Sequence, residues 1–480
     1  MADLHDLTAL EQGDLLRRGE VSSLELVEHY LDRVDRLDDV GAFVTTTPDL
    51  AREHARRVDA ERDAERPVGP LHGVPTAIKD LNATAGVVTR FGSPVYDGYV
   101  PDVSDAVVLS LEDAGLPSLG KTSTPELGSP CYTEPEGAPP AVTPWDRTRM
   151  AGGSSGGAAA AVAAGLVPLA QGSDGGGSIR IPASCCGLVG LKPSRGRVSG
   201  APLYGDPVGL ATAGSIGRTV ADTAALLDVM AGHRVGDPSW APPPSASFVS
   251  ACDREPGRLR VARFIEPVIT DSRPDGGELV HSEVLLAYEN ASRLLESLGH
   301  EVVDVAVPLP PEAVPVFETC WAVLTALSPV PPDRAHLLRP LTRWLAERGH
   351  AVTGPGLGLA IGSMRRHAAA ALRALAPYDA VLTPTVAQPP LPVGAIRDDA
   401  DPARDFENQK AFTPWTSAWN VTGMPAVSLP LHWTPATDDH PPLPVGVMLA
   451  ARPAEDELLV SLAAQVERAA SWHDRRAPGL

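Results

Sequence analysis

Two stretches rich in glycine and serine decide how this chain is interpreted: Ala151-Gly152-Gly153-Ser154-Ser155-Gly156-Gly157 and Gly172-Ser173-Asp174-Gly175-Gly176-Gly177-Ser178-Ile179-Arg180. Glycine at this density is poor filler for a helix or a strand, but it permits positive φ angles and close approach of the backbone. We therefore expect two tight loops whose N–H groups point into a common space. Such a nest of N–H groups binds negative charge.

A phosphate-binding loop is the simplest interpretation of a glycine-rich segment. That loop requires a Lys followed by Ser or Thr, whereas Gly157 is followed by Ala158 and Ala159. The pattern therefore disfavours phosphate binding.

Two serine-nucleophile motifs also fit only in part. Gly152 to Gly156 reads as GxSxG, but that elbow must follow a strand, and residues 145–149 make a poor strand. Ser118-Leu119-Gly120-Lys121 is an SxxK match, yet neither SDN nor KTG accompanies it.

A serine beside consecutive glycine N–H groups still needs a base. None of the 13 histidines lies in either stretch, whereas a buried lysine loses its proton readily and can then accept one from a serine hydroxyl. Lys79 ends the apolar run Gly73-Val74-Pro75-Thr76-Ala77-Ile78, which favours burial. A structural salt bridge, for instance with Asp80, is the alternative role.

Charge and composition exclude several classes of protein. With 480 residues, 40 Lys+Arg and 60 Asp+Glu, the net charge is −20, which argues against nucleic-acid binding. Only four of the basic residues are lysines, at positions 79, 121, 192 and 410. No apolar run reaches the roughly 18 residues of a membrane helix.

Cysteines and the N-terminus indicate a reducing compartment. The five cysteines show no CxxC spacing, so neither a disulfide framework nor a zinc site is predicted. Residues 1–12 carry acidic and polar side chains where a signal peptide would be basic and then apolar. We expect a cytoplasmic protein without metal or cofactor.

Helical and strand patterns alternate along the chain, which favours a mostly parallel sheet covered by helices. Predicted strands are 42–45, 76–78, 166–170, 378–382, 426–429 and 445–449; predicted helices are 24–37, 48–64, 104–114, 220–230, 278–298 and 455–470. The stretch 236–256 is expected to be a surface loop or a boundary. The Pro-rich stretch 308–340 is expected either to cover a pocket or to form a peripheral helical layer.

The chain resembles the amidase signature family over essentially its full length. The resemblance is carried by the block Leu71 to Asp80, by GGSSGG at 152–157 and by DGGGSIR at 174–180. It continues through PAS at 182–184, GLVGLKP at 187–193 and GSIGRTV at 214–220. The fold that this resemblance implies is a single large α/β domain, with a mixed, mostly parallel central sheet covered by helices on both sides.

The resemblance also implies a Ser-cisSer-Lys triad. Ser178 would be the nucleophile, Ser154 the bridging serine on a cis peptide bond, and Lys79 the base. The oxyanion would lie against the N–H groups of Gly175, Gly176, Gly177 and Ser178. Ser155 would support this cluster, and Asp174 and Arg180 are expected to pair and hold the loop.

The remaining predictions concern the domain and its pocket. We expect one amidase domain over 1–480, with a signature core at about 70–230 and a variable pocket region at about 236–420. Pocket walls are expected from Tyr132 and its neighbours, from the stretch 308–340 with Cys320, and from the segment around Trp415 to Asn420. Within the family, residues 133–136, 181–197 and 232–237 resemble hydrolases of the 6-aminohexanoate cyclic dimer type.

The function that follows from the resemblance is hydrolysis of the C–N bond of a small carboxamide or of a linear or cyclic amide. The alternative is a subunit similar to the A subunit of glutamyl-tRNA amidotransferase, which depends on partner chains. We expect a small-molecule substrate, no nucleic-acid or membrane partner, and a monomer or homodimer.

Overall fold

The computed structural model describes residues 3–63, 68–203, 205–438 and 440–478. Its strands are β1 (Phe43–Thr46), β2 (Thr76–Lys79), β3 (Ser118–Thr122), β4 (Leu169–Asp174), β5 (Val189–Lys192), β6 (Thr212–Gly217), β7 (Arg260–Arg263), β8 (Glu301–Asp304), β9 (Ala380–Pro384), β10 (Ala426–Trp433) and β11 (Pro444–Ala451). Its helices are α1 (Ala9–Arg17), α2 (Ser23–Leu37), α3 (Pro48–Asp63), α4 (Ala106–Asp113), α5 (Gly156–Ala163), α6 (Arg180–Cys186), α7 (Val220–Met230), α8 (Phe248–Cys252), α9 (Ser282–Ser297), α10 (Ala313–Ala326), α11 (Pro340–His350), α12 (Gly354–Leu375), α13 (Pro402–Phe412), α14 (Ala418–Thr422) and α15 (Asp456–Ala470).

Helix α2 shows how local sequence sets an element. Ser22 accepts a hydrogen bond from the Glu25 N–H, and the Glu25 carboxylate accepts one from the Ser22 N–H. This capping box satisfies two amides that the helix itself leaves unpaired, and a cap of this kind typically stabilises a helix by about 1 kcal/mol. The buried residues Val27, Leu31 and Val34 lie on one face, which confirms the predicted helix at 24–37.

Most other predicted elements are present with shifted ends. The strand predicted at 166–170 is β4, displaced toward Asp174, and the helix predicted at 278–298 is the shorter α9. The helix predicted at 48–64 is α3, although residue 64 lies outside the described residues.

The main sheet has eight strands in the order β4-β6-β5-β10-β11-β9-β7-β8. From β4 to β9 the pairings are antiparallel, and only β9-β7 and β7-β8 are parallel. The α/β class with a mixed sheet is confirmed, but the prediction of a mostly parallel sheet was wrong. Alternation of helices and strands suggested crossover connections, whereas strands such as β5 and β6 are short, rich in glycine and were not predicted.

Helices cover both faces of this sheet because its central strands are buried on both sides. Along β11, Val447 and Leu449 pack with residues of α7, α9 and α15. Met448 and Ala450, which point the other way because side chains alternate along a strand, pack with residues of α12 and α14. Among the described residues, each helix is too short or too polar to cross a bilayer.

A second, three-stranded sheet has the order β1-β3-β2 and carries Lys79 at the end of β2. Strand β2 pairs with β3 in parallel, with Lys79 opposite Thr122. All four residues of β2 are buried. The small sheet thereby brings the end of β2 to the end of β4 in the main sheet, where the second glycine-rich stretch begins.

Candidate active site

Lys79 is fully buried and its ammonium faces hydroxyl groups. Lys79 Nζ donates to Ser154 Oγ at 2.8 Å, to Ser173 Oγ at 3.1 Å and to the Ser173 carbonyl oxygen at 3.3 Å. The alternative salt bridge with Asp80 is absent from the described residues, because Asp80 lies 3.7 Å from Lys121 Nζ instead. Lys79 thus contacts two serines and no carboxylate.

Burial lowers the pKa of Lys79 to about 7, and the charge of Asp174 opposes this shift only in part. Desolvation penalises the charged form of an amine. Near neutral pH a large fraction of Lys79 is therefore the free amine, which can accept a proton from a hydroxyl group.

The other two buried lysines, Lys121 and Lys192, have no serine hydroxyl among their described contacts. Burial also lowers the pKa of Lys121, to about 8, and of Lys192, to about 7. Lys121 Nζ donates to the Asn82 carbonyl and to two threonines, and Lys192 Nζ donates to the Pro193 carbonyl. The contact with serine separates Lys79 from them.

The first glycine-rich stretch presents Ser154 to Lys79. The Gly153–Ser154 peptide bond is cis, as the resemblance implied. Gly153 passes so close to the chain at Tyr132 that a Cβ there would lie 2.8 Å from the Tyr132 nitrogen, so only glycine fits. Helix α5 begins two residues after Ser154.

Ser155 joins the two glycine-rich stretches. Its N–H donates to the Ser178 carbonyl at 3.1 Å, and its Oγ donates to the Ser173 carbonyl at 3.2 Å while accepting from the Ser173 N–H at 3.3 Å. Ser154 and Ser178 are thereby held on neighbouring loops.

The second stretch turns from β4 into α6 and leaves Ser178 only 8% exposed. Gly177 has φ 131° and approaches Thr416 so closely that a Cβ would lie 2.4 Å from its Oγ1. Its N–H donates to Asp174 Oδ1 at 2.7 Å. The N–H groups of Gly175, Gly176 and Ser178 donate to no acceptor within the described chain, so the predicted set of four free donors is reduced to three.

A buried ion pair fixes this loop. Arg180 Nε and Nη2 each donate to the Asp174 carboxylate at 2.9 Å, and both side chains are inaccessible to solvent. Although burial alone would raise the pKa of Asp174, the Arg180 guanidinium holds it below its usual value. The expected pairing of Asp174 with Arg180 is confirmed.

Asn420 belongs to the same buried network. Its Nδ2 donates to Asp174 Oδ1 at 2.9 Å and to the Asp174 carbonyl at 3.0 Å, and its Oδ1 accepts from Arg180 Nη2 at 2.8 Å. The side chain therefore supports the loop and does not form the pocket wall that was predicted for it.

The two serine hydroxyls share one cavity without touching. Ser154 and Ser178 both line a cleft of about 700 Å³, but no hydrogen bond joins their Oγ atoms in the described structure. Catalytic hydrogen bonds are often long in unliganded enzymes and tighten when substrate binds. The contact from Lys79 to Ser154 is formed here, whereas the contact from Ser154 to Ser178 is not.

A second cleft of about 550 Å³ meets the first at Ser178, Ser129 and Trp321. Its wall is largely apolar and includes Ile181, Phe317 and Phe406. Trp321 covers the glycine loop, since a Cβ on Gly175 would lie 3.6 Å from its ring, and it stacks on Phe317 with ring centroids 5.5 Å apart.

The other pocket predictions named the correct segments but the wrong side chains. Tyr132 is buried and donates to Asp405 Oδ2 at 2.6 Å, Cys320 is buried within α10, and Trp415 donates to the Glu266 carbonyl. Their chain neighbours Cys131, Trp321 and Ser417 line the cleft. Sequence spacing places an aromatic residue near the wall but does not reveal which side of a helix faces the cavity.

Of the two roles expected for the stretch 308–340, covering a pocket is the one observed, because Phe317 and Trp321 line the clefts. Sequence reasoning missed four other residues of the site: Ser129, Ser173, Glu318 and Lys410. A signal was present for α10, because residues 314, 317, 318 and 321 follow the spacing of one helical face. Among the described residues, one cluster has metal-ligating spacing, Asp3 with His5 and Asp6, and it shares no residue with the two clefts.

The site thus combines a buried lysine, a serine on a cis peptide bond and a glycine-rich loop that carries a second serine. The sequence also matches a known family. The sequence model of the Amidase family matches residues 25–460. The chain belongs to this family and is a hydrolase acting on C–N bonds.

Individual relatives agree with this assignment. A putative amidase from Synechocystis sp. is 37% identical, with the alignment covering 98% of this chain and 89% of the relative. The 6-aminohexanoate-cyclic-dimer hydrolase of Paenarthrobacter ureafaciens is 35% identical over 98% of this chain and 96% of its own length. A solved structure of 6-aminohexanoate cyclic dimer hydrolase superimposes with a TM-score of 0.88 at 31% identity, covering 100% of this chain and 99% of that one.

Proposed function

We propose that this enzyme hydrolyses small linear or cyclic amides through an acyl-enzyme on Ser178, with Lys79 as the base and Ser154 as the proton relay. One observation carries the proposal: the buried Lys79 Nζ lies 2.8 Å from Ser154 Oγ, and Ser154 and Ser178 line the same cleft. An amine with a pKa of about 7 is matched to proton transfer at neutral pH.

The first half of the reaction forms an ester. Neutral Lys79 takes a proton from Ser154, Ser154 takes one from Ser178, and Ser178 Oγ attacks the amide carbonyl carbon. Ser154 then gives a proton to the leaving nitrogen as the C–N bond breaks, and Lys79 returns its proton to Ser154. The products of this half are the Ser178 ester and a free amine or ammonia.

Stabilisation of the oxyanion is assigned to the N–H groups of Gly175, Gly176 and Ser178. These amides have no acceptor within the described chain, and the pair Asp174–Arg180 holds the loop that carries them. A preorganised donor of this kind is typically worth about 3 to 4 kcal/mol in the transition state.

The second half restores the enzyme. Water attacks the ester carbonyl, with its proton passing through Ser154 to Lys79, and the bond to Ser178 Oγ breaks. The carboxylic acid leaves, and the proton on Lys79 returns through Ser154 to Ser178. Each group ends in its starting state, as a catalytic cycle requires.

We propose that the chain is one amidase domain with a signature core at about 70–230 and a variable pocket region at about 236–420. The origin of the site residues supports this division. Lys79, Ser154 and Ser178 come from the segment 70–230, whereas cleft residues such as Ile269, Phe317 and Phe406 come from 236–420. The largely apolar cleft favours an uncharged acyl chain.

We further infer that the enzyme works in the cytoplasm on small molecules, as a monomer or homodimer.

The alternative, a transamidation subunit that depends on partner chains, is not favoured. The relatives described above are amidases and cyclic-dimer hydrolases. The purified chain should therefore release amine or ammonia from simple amides without any partner.

The test compares wild type with Ser178→Ala on a panel of aliphatic, aryl and cyclic amides. We expect kcat/KM to fall by about 10⁴-fold or more, as for loss of a serine nucleophile. Ser129→Ala is the matched control because Ser129 lines both clefts but is not a proposed nucleophile, and it should retain turnover. Equal turnover by Ser178→Ala and wild type would contradict the proposal.

A further inference from the structure

The apolar cleft beside Ser178 contains one pair of opposite charges that the proposed reaction does not use. Lys410 Nζ donates to Glu318 Oε1 at 2.8 Å, and the two side chains are 13% and 20% exposed. Among the described residues that line this cleft, they are the only charged ones.

Two helix faces bring this pair together. On α10, Val314, Phe317, Glu318 and Trp321 follow the spacing i, i+3, i+4, i+7 and line the cleft. On α13 and its cap, Phe406, Gln409, Lys410 and Thr413 repeat that spacing. Because Trp321 covers the glycine loop, Glu318 lies about one helical turn, roughly 5 Å, further along the cleft.

The position of Ser154 assigns each cleft to one side of the scissile bond. Ser154, the proposed proton donor to the leaving nitrogen, lines only the other cleft, whereas Ser178 lines both. The leaving group therefore occupies the cleft at Ser154, and the acyl chain occupies the apolar cleft with Glu318 and Lys410.

The pair retains hydrogen-bonding capacity. Of the three protons on Lys410 Nζ, one is used by Glu318 Oε1 and one by Glu407 Oε1 at 2.7 Å, which leaves one donor. Glu318 Oε2 accepts no hydrogen bond within the described chain. A ligand can therefore accept from Lys410 and donate to Glu318 at the same time.

The free donor and the free acceptor of this pair together favour a neutral ligand group. An ammonium has no acceptor to offer to Lys410, and a carboxylate has no N–H or O–H to donate to Glu318. An amide carries both an acceptor oxygen and a donor N–H. By contrast, the charged residue of the other cleft, Asp206, already accepts four backbone N–H groups, from Val208, Gly209, Leu210 and Ala211.

We propose that Glu318 and Lys410 form a specificity site that binds a second amide group at the far end of the acyl chain, so that diamides are preferred over monoamides. The carbonyl oxygen of the second amide accepts from Lys410 Nζ and its N–H donates to Glu318. This inference rests on the proposed function, since it takes the amide nearer Ser178 as the one that is cleaved.

The first test needs no variant. Ammonia release by wild type is compared for α,ω-diamides from succinamide to suberamide and for monoamides of equal chain length. At the best length we expect kcat/KM for the diamide to exceed that for the monoamide by about tenfold, beyond the factor of two from having two cleavable ends. A monoamide that is hydrolysed as well as its diamide, or an ω-ammonium amide that is preferred to both, would overturn the proposal.

The second test uses Lys410→Met, which keeps a long apolar stem beside Phe406 and removes the donor. The preference for diamide over monoamide should fall about tenfold, and Glu407→Gln, which changes a half-exposed partner outside the cleft lining, should leave the preference within about twofold. An unchanged preference in Lys410→Met would show that the ion pair only joins α10 to α13.

A binding measurement separates this inference from the proposed function. Calorimetry with Ser178→Ala should show adipamide binding about tenfold more tightly than hexanamide. If wild type cleaves neither amide although this difference in binding is present, the reaction assignment fails and the specificity site stands. If cleavage depends on Ser178 but the difference is absent, the specificity site fails alone.

Discussion

At the scale of single residues, the chemistry depends on which buried amine touches a hydroxyl. Lys79, Lys121 and Lys192 are all buried and all have lowered pKa values. Only Lys79 has serine hydroxyls within hydrogen-bond distance among the described contacts. Burial leaves a large fraction of the Lys79 amine unprotonated near neutral pH, and the neighbouring serine hydroxyls are groups from which the free amine can accept a proton.

The pH dependence of turnover should report Lys79. Its pKa is lowered to about 7, and only the neutral amine accepts a proton, so kcat/KM should rise about tenfold per pH unit at acid pH and level off above about pH 7. Initial rates between pH 5 and pH 9 measure this. Lys192→Met is the control, because Lys192 also has a pKa of about 7 but should not set the midpoint.

Lys79→Arg should be severe although it keeps the positive charge. Guanidinium does not lose its proton in proteins, so the variant lacks a base, and kcat should fall by about 10² to 10⁴-fold. Steady-state kinetics with a simple amide are sufficient. Lys121→Arg, at another buried lysine that contacts no serine, is the matched change, and near-normal turnover by Lys79→Arg would place the base elsewhere.

Prediction from sequence succeeded for side-chain contacts between residues that stand in short signature motifs. Lys79, Ser154, Asp174 and Arg180 stand in short signature blocks, and the contacts expected of Lys79 with Ser154 and of Asp174 with Arg180 are present. The roles of these residues in catalysis remain predictions. Tyr132 and Trp415 carry no such motif, and their apolar bodies fit a core as well as a pocket.

At the scale of elements, the site depends on how β2, β4 and α6 are fastened together. Asp174 ends β4, and its carboxylate accepts from the Gly177 N–H in the following loop, from the Ile179 N–H before α6 and from the Arg180 side chain. Asn420 in α14 donates to the same carboxylate. One buried ion therefore orders the loop between a strand and two helices.

Asp174→Asn should be strongly destabilising. It leaves the buried Arg180 without a counter-charge, and breaking a buried pair in this way typically costs about 3 to 5 kcal/mol. Asp32→Asn is the matched control, since it breaks an exposed i,i+4 pair with Arg36 that is worth under about 0.5 kcal/mol. Urea unfolding of both variants measures the difference, and equal midpoints would mean that the buried pair contributes no net stability.

Elements with regular hydrophobic spacing could be predicted from the sequence, and those rich in glycine could not. Helices α2, α7 and α15 have apolar faces, and α2 and α7 also have N-capping side chains, Ser22 and Thr219. Helix α12 begins Gly354-Pro355-Gly356-Leu357-Gly358, a pattern typical of a loop, so its 22 residues were missed. Its helical state depends on tertiary packing of residues such as Met364, Ala368 and Ala371, which the sequence does not show.

At the scale of the whole molecule, a large mixed sheet holds two loops that are close in sequence against a lysine that is distant from them. Strand directions follow from pairing over the full sheet, which is why alternation of elements predicted the class but not the antiparallel majority of pairings. The family assignment rests on nearly the full chain, whereas the clefts beside Ser178 are lined by residues from distant parts of the chain, such as Ile181, Trp321 and Phe406.

The most direct test is the mass of the intact protein mixed with substrate and quenched in acid. Wild type should gain the mass of the acyl group, and peptide mapping should place it on Ser178, since an ester intermediate is required by the proposed path. Ser178→Ala should show no adduct, while Ser129→Ala should still form one. An acyl group on another residue, or turnover by Ser178→Ala at the wild-type rate, would contradict the account.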